Sequence, residues 1–170
     1  MMENMESIIK IELPASWKWT TIDQILDSIE SGGRPKGGVK GILGGIPSIG
    51  GEHLQYSGGF DFSNIRYIPN EYFEKLSKGK INKNDVLVVK DGATTGKTSF
   101  VSESFPFVEA AVNEHVFILR PDTDRVKPKF LFLWRIQFHI FSAKPYFLIL
   151  HCLKLVSNFL NDTSFLTWIE

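Results

Sequence analysis

The sequence predicts an α+β fold: a single mixed-sheet domain with peripheral helices, followed by an atypical helical tail. Three observations predict it. Short β-branched apolar runs, Val86–Val89 above all, have the length and composition of strands. Two segments carry helix signals, one by apolar spacing and one by a proline start. The chain has 170 residues and 43% hydrophobic content, which suits one core, and no linker, repeat or low-complexity tract divides it.

Taken in order, the first helix is expected over Thr21–Ile29. Ile22, Ile25, Leu26 and Ile29 fall on one stripe, Thr21 with Gln24 forms a capping box, and Gly32 and Gly33 stop it. Trp17 and Trp19 are expected to pack on that helix. Ser31–Gly45, SGGRPKGGVKGILGG, is a cationic loop by composition. Strands are expected at Ile46–Ile49 and Arg66–Ile68, and Asn70 is placed to cap a short helix through Leu76. Val86–Val89 follows an Asn84-Asp85 turn, and His115–Leu119 is a second strong strand. Pro128 opens a helix whose body, Lys129–Phe141, is apolar nearly all round and therefore buried on more than one side.

Charge is balanced overall but not locally. Between Lys75 and Lys97 six lysines face only Asp85 and Asp91, while the first thirty residues are acidic. A lysine-rich segment is by default a solvated surface; its other use is to meet phosphates. The one cysteine, Cys152, excludes an internal disulfide and fits a reducing compartment. No signal-peptide core opens the chain, and the longest apolar run, near Tyr146–Leu153, is far short of the ~20 residues of a spanning helix. A soluble, cytoplasmic protein without membrane partners is expected.

The stretch KDGATTGKT, Lys90–Thr98, invites comparison with a nucleotide-binding phosphate loop. Such a loop needs glycine, four residues, then Gly-Lys-Ser/Thr, and it opens a helix aimed at the phosphates. Here only three residues separate Gly92 from Gly96, Asp91 stands where glycine should, and the following SFVSESFPF is extended and broken by Pro106. An anionic side chain at that mouth opposes phosphate. Nor do the four histidines form a metal signature: there is no HExxH, CxxC or GxSxG. Glu52-His53 and Glu114-His115 are adjacent pairs, which point to opposite faces of a strand. No catalytic residue, cofactor or metal is expected.

Three blocks in order carry a resemblance: IPSIGGEHL (46–54), INKNDVLVVKDGATTGKTSFV (81–101) and AAVNEHVFILRP (110–121). With the opening LPASWKWTTIDQILDSIESGGRP (13–35) they resemble a target recognition domain of the specificity subunit of type I restriction–modification enzymes, over residues 13–137. The resemblance implies a non-catalytic part that reads one half of a split double-stranded DNA site. It also implies partners: modification subunits that methylate adenine with S-adenosylmethionine, and a restriction subunit that uses ATP. The methyl-donor and ATP chemistry would then belong to those partners.

Residue chemistry suits that role. Phosphate contacts need cations, and base edges need amides, hydroxyls, imidazoles or carboxylates. The candidate DNA-binding residues are Arg34 and Lys36; Gly51, Glu52 and His53; and Lys90, Thr94, Thr95 and Lys97. Glu52 could accept from cytosine N4 and His53 could donate, while Gly92 and Gly96 allow close backbone approach. Asp91, Asn113 and Glu114 are expected to be scaffold, and His115 a satisfied structural histidine.

The chain also departs from the family. It has room for one recognition domain where the family carries two, and no Gly-x-x-Gln or Pro-Leu-Pro-Pro segment follows Arg120. Residues 1–12 form an N-terminal arm, and the apolar segment 138–170 is unlike the family's spacer helices, as a truncated or frame-shifted gene would make it. Exposed apolar surface over Phe141–Leu155 would favour self-association. Two rivals stand beside the DNA-binding reading: a nucleotide-dependent enzyme using Lys97, and a folded remnant without function.

Overall fold

Val86, Leu87, Val88 and Val89 are all buried, so both faces of the strand they form are covered. That strand is the centre of the architecture. The computed structural model of the chain describes residues 17–139 and 148–152. In order it contains β1 (Trp17–Thr21), a 3-10 turn (Ile22–Gln24), β2 (Leu26–Ser31), β3 (Ile46–Ile49), β4 (Arg66–Ile68), α1 (Asn70–Glu74), β5 (Val86–Val89), β6 (Thr98–Phe100), β7 (Ala111–Val112), β8 (Val116–Pro121), α2 (Pro128–His139) and β9 (Leu148–Cys152).

The single mixed sheet expected from the sequence is instead divided. A four-stranded sheet runs β2-β8-β5-β6, antiparallel throughout, and a three-stranded sheet runs β4-β3-β7. Only the smaller is mixed, since β3 pairs antiparallel with β4 and parallel with β7. β1 and β9 form a separate antiparallel ribbon. The described chain is mostly β, with two helices at its margins.

Strand alternation assigns the core. Leu87, Val89, Val116 and Ile118 face Ile49, Leu54 and Val112, filling the space between the larger and smaller sheets. Val86, Val88 and Leu119 face the other way, under Leu131 and Trp134 of α2. Each such fully buried side chain contributes about 1.5–3 kcal/mol. Phe60, Phe62, Phe105 and Phe107 close the margin of the inter-sheet core, with Phe62 and Phe107 meeting edge to face at 4.9 Å.

The expected helix over Thr21–Ile29 is the main correction. Residues 22–24 make one 3-10 turn, closed by Ile25 N–H on the Ile22 carbonyl, and residues 26–31 pair with β8. The Thr21/Gln24 cap survives, Gln24 Oε1 accepting from Thr21 N–H at 3.4 Å. What defeats the helix is a tertiary demand on period-2 positions. Leu26, Ser28 and Glu30 point inward while Asp27 and Ile29 point out, and Ile29 is 49% exposed. A helix would trade the β8 ladder and the Glu30–Arg120 ion pair for a propensity worth a few tenths of a kcal/mol per residue. Trp17 and Trp19 accordingly sit in a strand rather than ahead of a helix.

Smaller adjustments follow. Pro69, not Asn70, occupies the position before α1, and α1 ends at Glu74 rather than Leu76. The strand expected from His115 begins at Val116, and α2 is described to His139, the rest of the expected helix to Phe141 lying outside the described residues. Residues 1–12, and the tail apart from Phe138, His139 and β9's five residues, lie outside the described residues; β9 is a strand where a helical tail was expected. Expectations for 1–12 and for exposed apolar surface over 141–147 and 153–155 fall there. Among the described residues, no helix is long and apolar enough to cross a membrane.

Candidate nucleic-acid interface

Four connections meet at one end of the sheets: the loop after β2, the turn after β3, the β5–β6 hairpin and the β7–β8 turn. Close backbone packing brings them together. A Cβ on Gly32 would overlap the Val112 carbonyl, so only glycine lets the 31–45 loop lie against β7. A Cβ on Gly51 would stand 2.9 Å from Thr94 Oγ1 and 3.1 Å from Val89 Cγ1, which presses the Gly50–His53 turn onto the hairpin.

The hairpin itself is a self-satisfied turn. Gly96 N–H donates to the Val89 carbonyl at 2.8 Å, Thr95 N–H to Gly92 at 3.2 Å and Lys97 N–H to Thr94 at 3.2 Å. Thr95 Oγ1 donates to the Gly92 carbonyl at 2.6 Å. Gly92 and Gly96 both hold a φ of 89°, a region that favours glycine. The amides a nucleotide cradle would aim at phosphate are thus turned onto the loop's own carbonyls, and strand β6 follows instead of a helix. This geometry is unlike a nucleotide cradle and counts against the rival based on Lys97.

Across the top runs a chain of alternating charges. Arg34 Nε lies 2.8 Å from Glu114 Oε1, which lies 3.4 Å from His115 Nε2. His115 Nδ1 lies 2.5 Å from Asp91 Oδ1, and Asp91 Oδ2 lies 3.1 Å from Lys90 Nζ. The His115 hydrogen bond, then that from Lys90, holds the Asp91 carboxyl below its usual range. Because the two ring nitrogens of His115 face different carboxylates, their donors do not converge on one point. Among the described residues, no group of three His, Cys, Asp or Glu could hold a metal.

The candidate residues separate on this geometry. Lys36 is exposed, and Lys97 lies over the Tyr56 ring at 5.4 Å with no carboxylate within 4 Å among the described residues. Arg34 and Lys90 are tied to Glu114 and Asp91, so their charges are partly offset; Lys90 also lies 5.6 Å over the Phe117 ring. Glu52 is exposed, 3.7 Å from Arg66 Nε. Thr95 is exposed, Thr94 is half-buried and Gly51 is buried.

The two histidines nearest the loop end differ sharply in exposure. His53 is 1% exposed; its Nδ1 accepts from Gly50 N–H at 2.8 Å and its Nε2 donates to the Asn64 carbonyl at 3.2 Å. Both nitrogens are spent inside the chain, so His53 holds the turn and cannot reach a base. His115, expected to be structural, is 44% exposed at its side chain. Asn113 has the turn role expected of it: it is buried, and its Oδ1 accepts from His115 N–H at 2.9 Å. Local sequence offered no signal for this difference in burial, because both histidines follow a glutamate.

Arg120 went unnoticed as a structural centre. Its guanidinium bonds Glu30 Oε1 at 2.6 Å, Asp85 through two contacts and the Lys80 carbonyl at 3.1 Å. Burial raises the Asp85 carboxyl, with the Arg120 hydrogen bonds opposing it. Burial raises Glu30 too, but the Gly79 N–H bond and Arg120 outweigh it and leave Glu30 lowered.

The fold and its loop end define a class: a β-dominated domain that presents several loops on one side of a two-sheet core. No protein-family model and no curated protein matches the sequence. Solved structures do. The HsdS subunit from Thermoanaerobacter tengcongensis matches over 94% of this chain with a TM-score of 0.64 and 17% identity. A chain of a type I R–M system, described for its complex assembly and conformational transition, matches over 93% with a TM-score of 0.62 and 16% identity. This chain spans about two-fifths of each of them, 39% and 40% respectively. At these identities the likeness establishes a shared fold.

Proposed function

We propose that this chain is a target recognition domain of a type I restriction–modification specificity subunit. It reads one half of a split DNA site and directs the adenine methylation and restriction carried out by partner subunits. The observation that carries this reading is the shared fold over 94% of the chain with an HsdS subunit, at a share of that subunit, 39%, suited to one recognition domain. Four in-register sequence blocks of the kind found in such domains support it from the sequence side.

The loop end supplies the chemistry. Among the candidate residues, Lys36 and Lys97 are the cations least offset by carboxylates and meet phosphates, while Glu52, Thr95 and the charged row from Arg34 to Lys90 supply polar groups for base edges. Docking to modification and restriction subunits belongs to the same reading, as does a cytoplasmic location.

Selection of bound duplexes from a random library by the full chain tests it. A short enriched motif supports the reading; equal retention of all sequences supports the remnant instead.

A further inference from the structure

One exposed and firmly placed side chain has no role so far. His115 donates its N–H to Asn113 Oδ1 at 2.9 Å, and its carbonyl accepts from Lys90 N–H at 2.9 Å. Its Nδ1 lies 2.5 Å from Asp91 Oδ1. Asp91, held below the usual carboxylate range, is ionised at neutral pH and only accepts, so Nδ1 carries the proton. Nε2 on the opposite edge is therefore the ring's variable atom. It makes no hydrogen bond among the described residues. The Glu114 oxygen 3.4 Å from it is the one that pairs with Arg34 at 2.8 Å.

We propose that His115 is a specificity-determining residue: its Nε2 meets a base edge in the DNA major groove while Asp91 positions the ring. This rests on the DNA-recognition reading above. The neutral ring presents Nε2 as an acceptor, which suits adenine N6 or cytosine N4; the imidazolium presents a donor, which suits guanine O6 or N7. The charges around the ring are Asp91 and Lys90 from the hairpin, Glu114 from its own turn and Arg34 from the 31–45 loop. These four cancel, so the row brings no net charge of its own to the ring. One position of the recognised motif accordingly depends on His115.

The test is selection from a random duplex library by the full 170-residue chain. It is run for wild type, His115→Ala and Asp91→Asn. The wild-type chain is expected to enrich a short motif. In His115→Ala, discrimination at one position of that motif is expected to fall about tenfold, with the other positions kept. Asp91→Asn, which loosens the ring, is expected to blunt the same position only. A merely structural His115 would lower affinity for every duplex alike, and that result overturns the proposal. So does an unchanged motif in His115→Ala. A wild-type chain that enriches no motif overturns the DNA-recognition reading itself and this inference with it, whereas a selective wild type with an indifferent His115→Ala overturns this inference alone.

Discussion

Arg120 grips Asp85 through two parallel hydrogen bonds, Nε to Oδ1 and Nη2 to Oδ2, each 3.0 Å long. Asp85 is 1% exposed, so its charge depends on that grip. The same guanidinium takes Glu30 of edge strand β2, and Glu30 in turn accepts from Gly79 N–H at 2.9 Å. One side chain thereby ties β2, β8 and the start of β5 to the loop that precedes it.

Removing the cation leaves two partly or fully buried carboxylates facing each other. Arg120→Met is expected to cost about 3 kcal/mol of stability, read as a lower urea midpoint. A midpoint within error of wild type would show that the network adds nothing. The triple replacement of Arg120, Asp85 and Glu30 by apolar residues is expected to recover much of the loss.

Gly32 supports the loop end by contact rather than charge. Its Cα lies so close to the Val112 carbonyl that Gly32→Ala forces the 31–45 loop away from β7. Overpacking of this kind is expected to cost about 1–3 kcal/mol, measured by thermal or urea unfolding. Gly37→Ala and Gly38→Ala meet open space but sit at φ 88° and 77°, so their cost is backbone strain alone.

Much of this framework was legible in the sequence. Ile46–Ile49, Arg66–Ile68 and Val86–Val89 are strands at the residues expected, because short β-branched runs between turn residues have few alternatives. Residues 22–29 misled because four apolar side chains happen to fit a helical stripe, while the decisive partner of Glu30 lies 90 residues away. Within the site, glycine loops were visible and ion pairs were not. Asp91 and His115 are 24 residues apart, and nothing local distinguishes His115, held at the surface, from His53, sealed within.

Asp91 makes the ion row sensitive to acid. A carboxyl lowered in the folded state contributes stability above its unfolded value, about 3.9, and loses it as pH falls through the folded value. The difference in melting temperature between wild type and Asp91→Asn is expected to be present at about pH 5.5 and to vanish towards about pH 2. A difference that stays constant over that range would show that Asp91 is not linked to folding.

Lys97 and Lys90 are expected to differ towards DNA. Lys97→Ala should weaken binding and reduce the salt slope by about one. Lys90→Ala should change the slope less, because Asp91 already offsets its charge at 3.1 Å. Equal and negligible effects on binding isotherms at several salt concentrations would remove both lysines from the phosphate contacts.

The central claim is sequence-specific recognition of duplex DNA, and competition binding tests it most directly. A duplex carrying the motif selected by the full chain is titrated against its scrambled counterpart at physiological salt. The account predicts a preference of about a thousandfold or more for the selected duplex. Equal affinity for the two would contradict it.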